Sequence, residues 1–249
     1  MPKRVAVPSA VLHSRSMHAM HGPVPGTHTA PPGVLLPLPG GEVALIGLAA
    51  LAVVMIPFLW PLVEHFNVMA HEGAHAVTGS LLGSSPSGVV LKADATGGTS
   101  FPPSMRGPRA VPTAVIGYLG PSLFGLFAAK LIETGRIAAV LEVAIILLVL
   151  LLFLIRKSFG LVSVPAAIAL LALSIRYSHD GLEEVIVYGV TWLLLLSGVR
   201  VAVADGAGAS DAHVLSASTH LPRQLWAMVW IGGTLLAVVI GGKWLILKS

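Results

Sequence analysis

Residues 137–155 read IAAVLEVAIILLVLLLFLI. Only Glu142 is charged in that run. A bilayer core about 30 Å thick is crossed by about 20 such residues in a helix. In lipid every backbone N–H and C=O must be satisfied internally, and a helix does this within the segment. Comparable apolar runs lie on both sides, at 43–60, 62–82, 110–132, 159–175, 182–199 and 225–247. The composition agrees: 55% of the 249 residues are hydrophobic and 10% are charged, against roughly a quarter charged in soluble domains. The expected fold class is an all-α polytopic membrane protein. It has about six to seven transmembrane helices, a short β-hairpin-like loop and a re-entrant or interfacial segment.

Residues 1–40 carry Pro, Gly, Ser and His without apolar periodicity, and read as a disordered basic tail. Its His13, His18, His21 and His28 read as solvated side chains. Residues 41–249 read as one integral membrane domain. The net charge is +4, but Lys and Arg are scattered through the connections rather than clustered. They read as orientation signals, and no nucleic-acid surface is expected. With seven spans and a cytoplasmic N-terminus, Lys92, Arg106, Arg109, Arg156, Lys157, Arg200 and Arg223 join the tail's Lys3, Arg4 and Arg15 inside. Lys130, Arg136, Arg176, Lys243 and Lys248 fall outside. This excess inside fits the positive-inside rule. The chain has no cysteine, so thiolate chemistry is excluded and any metal site must use His or carboxylates.

Two connections are unusual. Residues 83–109 contain VVLKADAT and TSF around Gly97-Gly98, a hairpin signal. Residues 200–224 are too polar to span and too apolar for an ordinary loop, which suggests a re-entrant or interfacial piece.

The weakest span, 62–82, holds the motif HEGAH at 71–75. Four residues apart on a helix, His71 and His75 project from one face. Two neutral imidazoles so placed can both bind one Zn²⁺. Glu72 is offset by about 100°, beside the ion, where it can take a proton from water. This is the mechanical content of H-E-x-x-H. With ten His and seven Glu in the chain, chance gives such a match in about one such chain in a hundred. Ionisable groups inside spans are costly, and a metal gives these three a reason to be there. Asn67 lies one turn before His71 and is a candidate to orient a ligating imidazole. Glu64 is the rival for that role, or a solvated helix end. His65 reads as an interfacial side chain.

A catalytic zinc has three protein ligands and one open position. Candidates for the third are Asp94, His179, Asp180, Glu183, Glu184, Asp205, Asp211, His213 and His220. His75 lies about seven residues, or roughly 10 Å, from the inner end of its helix. The third ligand is therefore expected from the inner half, which sets His179, Asp180, Glu183 and Glu184 aside. Asp211 in GASDAHVLSAST is preferred: Ser210 can cap a short helix with Asp211 in its first turn. His213 and Asp94 stay open as rivals.

In this order, WPLVEHFNVMAHEGAHAVTGSLLG, DATGGTS, GYLGPSLFG and SDAHVLSASTHLP resemble the site-2 protease family of intramembrane zinc metallopeptidases, in a compact bacterial branch. The resemblance covers about residues 58–226. It implies a metallopeptidase domain that hydrolyses peptide bonds in or near the bilayer, with His71 and His75 as zinc ligands and Glu72 as general base. The family's third ligand is an Asp, commonly in an NxxPxxxLDG-like segment. No such segment occurs here, and Asp211 stands in its place. The compact branch it resembles implies no PDZ domain of the kind many relatives carry. The implied cofactor is one Zn²⁺ per chain, and the implied partners are a transmembrane or membrane-proximal protein substrate and the lipid bilayer. The implied location is a bacterial cell membrane. Gly97, Gly98 and Thr99 are candidates for holding an extended substrate on a strand edge. Gly117, Gly120 and Pro121 read as close packing and a kink. An inactive membrane protein with a structural metal, or a metal transporter, remains the alternative.

Overall fold

The structure is a computed structural model that describes residues 35–156, 158–177 and 181–247. The expected tail up to residue 34, with its four histidines, lies outside the described residues, as do His179 and Asp180. From Leu35 the chain forms one unit of eight α-helices and one hairpin among the described residues. The helices are α1 (Gly40–Met55), α2 (Pro61–Leu81), α3 (Ala110–Glu133), α4 (Ile137–Leu154), α5 (Ser158–Tyr177), α6 (Leu182–Asp205), α7 (Ser210–Thr219) and α8 (Arg223–Leu247). The strands β1 (Gly88–Leu91) and β2 (Gly97–Ser100) lie between α2 and α3.

Five helices, α3, α4, α5, α6 and α8, are long and apolar enough to cross a membrane. The α1 helix is apolar but has only 16 residues. Its apolar run continues to Trp60, yet the helix stops because Ile56 precedes Pro57 and turns extended, at φ −80° and ψ 120°. The α2 helix has 21 residues, and its polar side chains keep it out of the apolar set. Leu150, Phe153, Leu170, Leu236 and Val239 are exposed. In water they would be a liability; against lipid chains they are ordinary. The chain is thus an all-α membrane protein carrying a short hairpin, as expected.

The α3 helix is the hub, packing against α2, α6, α7 and α8. Small residues let the backbones approach. A Cβ on Gly125 would stand 2.8 Å from the Leu195 backbone nitrogen. The Ser122 hydroxyl donates to the Leu195 carbonyl at 3.0 Å across the same crossing. Trp192 of α6 donates from its indole to the Val43 carbonyl of α1 at 3.2 Å.

The α2 helix ends in a Schellman motif: Ser84 N–H reaches the Gly79 carbonyl at 2.9 Å and Gly83 N–H the Ser80 carbonyl at 3.0 Å. Gly83 has φ +74°, the left-handed geometry this cap requires. The chain then enters the hairpin. Its strands pair antiparallel, with Leu91 opposite Gly97 and Gly88 opposite Ser100. Gly97 and Gly98 are therefore strand residues, not the turn. The turn is built by Asp94, whose Oδ1 accepts the Thr96 N–H at 3.1 Å and the Thr96 hydroxyl at 2.6 Å. Ala95 takes φ +55° inside it.

Residues 206–209 reverse the chain after α6, and α7 follows as a short helix. Its N-cap is Ala209, with no side-chain cap hydrogen bond. Ser210 is thus the first helical residue rather than the cap. The α7 helix buries Ala212 and Leu215 against Ala114 and Trp230, an apolar anchor that fixes Asp211 on its first turn.

Candidate metal centre

His71 and His75 lie one turn apart on α2, and Asp211 comes from α7. The two Nε2 atoms are 3.0 Å apart. Asp211 Oδ2 is 3.4 Å from His71 Nε2 and 3.2 Å from His75 Nε2. The oxygen is buried and has no hydrogen-bond partner. Three donor atoms thus converge on one point, a group that could hold a metal ion. An unpartnered buried carboxylate oxygen costs several kcal/mol unless a positive charge or a donor meets it.

The other candidates go elsewhere. Asp94 is exposed in the hairpin turn. His213, on the same helix as Asp211, pairs with the Arg223 guanidinium at 2.8 Å. Glu184 accepts the Leu36 N–H at 3.3 Å. Glu64 is in the first turn of α2. His65 packs its ring 5.0 Å from Phe159. Asn67 is buried one turn before His71, and its Oδ1 finds no hydrogen-bond partner.

Glu72 is 4% exposed on the neighbouring face of α2. The Thr99 hydroxyl of β2 donates to Glu72 Oε2 at 2.6 Å and lies 3.3 Å from the Glu72 carbonyl. A Cβ on Gly97 would stand 2.7 Å from Glu72 Oε1. The absent side chain of Gly97 is therefore what makes room for the carboxylate.

Gly117 of α3 closes the other side. A Cβ there would stand 2.5 Å from His75 Nε2 and 2.8 Å from Asp211 Oδ2. One turn on, Gly120 meets α2 so closely that its Cβ would fall 2.3 Å from the Ala74 Cβ. Pro121, buried inside α3, has no N–H to give to the Gly117 carbonyl. Tyr118 sets its ring at 87° to that of His71, with centroids 5.0 Å apart. It stacks in turn on Trp230 at 4.4 Å, whose indole donates to the Val115 carbonyl at 2.9 Å. In the sequence GYLGP reads, through Gly117, Gly120 and Pro121, as close packing and a kink. That its first glycine lies under the donor atoms and its tyrosine against His71 depends on which helix α3 crosses, which no local pattern encodes.

No curated protein and no solved structure matches the chain. A family model described as Peptidase M50B-like matches residues 44–241, most of the chain. That span contains α2, the hairpin, α3 and α7, the elements that bring together the three donor atoms and Glu72. On that match the chain belongs to the Peptidase M50B-like family, a membrane metallopeptidase family, in agreement with its resemblance to the site-2 proteases.

Proposed function

We propose that the protein is an intramembrane zinc metalloprotease that cleaves a transmembrane or membrane-proximal protein substrate. One observation carries this reading: the triangle of His71, His75 and Asp211 donors, with sides of 3.0, 3.2 and 3.4 Å. Four ligands placed tetrahedrally about 2.05 Å from zinc are about 3.3 Å apart, so the triangle fits one face of such a site. Gly117 supports the fit, because a methyl group there would intrude on the donors. In this reading His71, His75 and Asp211 would hold the ion. Bound zinc supplies a Lewis acid that polarises a carbonyl and makes water more acidic.

Glu72 is the general base. It takes a proton as water adds to the scissile carbonyl carbon and passes it to the amide nitrogen as the C–N bond breaks. The products are a carboxylate and an amine. The hairpin presents the substrate. Lys92 N–H meets the Thr96 carbonyl at 2.9 Å beside the turn. With the printed register, the alternation of an antiparallel ladder turns the N–H and C=O of Gly97 and Thr99 away from β1. A substrate unwound to an extended strand can pair with that edge, next to Glu72.

Glu72→Gln tests the reading. Metal content should match wild type while cleavage stops; undiminished cleavage removes Glu72 from the mechanism. Asp211→Ala should lose the metal and His213→Ala should keep it, and the reverse pattern overturns the ligand set. A transporter would move metal across liposomes bearing the protein, whereas a protease moves none.

A further inference from the structure

The hairpin is fixed on both sides. Arg156, between α4 and α5, donates its N–H to the Val89 carbonyl at 2.9 Å and its Nε–H to the Ser87 carbonyl at 3.2 Å. Ile155 forms a parallel bridge with Val89. The outer edge of β1 is therefore covered, and the sheet cannot slide there. On the other strand, β2 touches α2 through Gly97 and Thr99. A glutamate has three rotatable side-chain bonds, and an unrestrained carboxylate would sample several directions. Here one oxygen is tied to a hydroxyl on a braced strand, and the carboxyl occupies the space a Cβ on Gly97 would need. Reacting groups must be held to within about 0.5 Å and 10–20° to work.

We propose that Thr99 is a positioning residue for Glu72: its hydroxyl pins Oε2 and leaves Oε1 as the oxygen that receives the proton. The inference rests on the general-base reading of Glu72 given above. It assigns the hairpin a second task beyond presenting substrate, because the strand that offers the edge also aims the base. A hydroxyl is required for this, and the methyl group of threonine is not. Valine keeps the shape and removes the donor; serine keeps the donor.

The experiment compares wild type, Thr99→Val, Thr99→Ser and Glu72→Gln in detergent. The first readout is infrared spectroscopy of protein carrying ¹³C-labelled glutamate. The difference between wild type and Glu72→Gln isolates the Glu72 carboxylate stretch. Thr99→Val should shift that band and Thr99→Ser should return it. This readout needs neither bound metal nor turnover. The second readout is cleavage of fluorescently labelled casein, an extended polypeptide probe. In Thr99→Val, kcat should fall about ten- to a hundredfold with KM and zinc content near wild type, and Thr99→Ser should recover most of it. An unshifted band in Thr99→Val overturns the inference, whether or not casein is cleaved. So does a raised KM at unchanged kcat, which would make Thr99 a substrate contact. Loss of activity in Thr99→Ser as deep as in Thr99→Val also overturns it. If Glu72→Gln cleaves casein like wild type, the general-base reading itself falls. If Glu72→Gln is inactive and Thr99→Val is unimpaired, only the role of Thr99 falls.

Discussion

A single methyl group added at Gly117 would press on two of the three donor atoms, at 2.5 Å from His75 Nε2 and 2.8 Å from Asp211 Oδ2. Alanine is a better helix former than glycine by about 1 kcal/mol, so helical propensity alone favours the replacement. The steric contact opposes it at one place only. Gly117→Ala should therefore keep a folded protein in a melting experiment while its zinc affinity, read by competition with a chelator, drops at least about tenfold, the scale of loss when the surroundings of metal ligands are disturbed. Undiminished affinity in that variant would show that α3 does not press on the donors. Legibility at this scale follows locality. His71, Glu72 and His75 stand within five consecutive residues, and helix geometry alone groups them on adjoining faces. Asp211 is 136 positions beyond His75, and elimination narrowed the choice without settling it. The sequence marks Thr99 for a strand edge and Gly117 for close packing, but not their contacts with Glu72 and with the donor atoms, because those atoms lie on other elements.

The turn between β1 and β2 shows what an element adds. Asp94 ties Thr96 through both the hydroxyl and the N–H, and these bonds hold the Asp94 carboxyl below its ordinary value. A carboxyl depressed by folding stabilises the turn above its unfolded value of about 3.9, and that contribution is lost as pH falls through the lower folded value. Hydrogen-exchange protection of the Lys92 N–H, which bonds the Thr96 carbonyl at 2.9 Å, should weaken in acid in the wild type. In Asp94→Ala it should be weak at every pH. Metal content of Asp94→Ala should stay at the wild-type value at neutral pH, since Asp94 lies outside the donor triangle; loss of metal would bring this aspartate back as a ligand. The sequence signalled a hairpin here but set the turn at Gly97-Gly98. Glycine pairs usually make turns, yet here the Asp94 side chain closes the turn and Gly97 is needed in the strand, where Glu72 fills the space of a Cβ. The helix ends tell the same story. The α6 helix runs to Asp205, past the expected end at 199. Arg200 is accommodated because its guanidinium reaches the Val54 carbonyl and lies over the Trp60 ring.

At the scale of the whole molecule, the site is set by which side of the membrane each connection faces. The α3 helix is one of the five long and apolar enough to cross, and a crossing α3 would put the hairpin before it and the α3–α4 link after it on opposite sides. By the positive-inside rule, the distribution of Lys and Arg predicts that the hairpin, α7 and the donor cluster face the cytoplasm. The chain has no cysteine of its own, so single cysteines report position without background. Ala93 in the hairpin turn and Thr134 after α3 are both exposed. In intact cells, a membrane-impermeant maleimide should label Thr134→Cys and spare Ala93→Cys, and permeabilising the cells should make both react. The reverse pattern would invert the expected orientation and move the donor cluster to the outer face. Labelling of both positions in intact cells would mean that α3 does not cross. The orientation also decides which substrates can be reached. On the proposed function, a hairpin edge and Glu72 near the inner surface would release the substrate's cytoplasmic portion, and a substrate lacking an extended stretch at that depth would be spared.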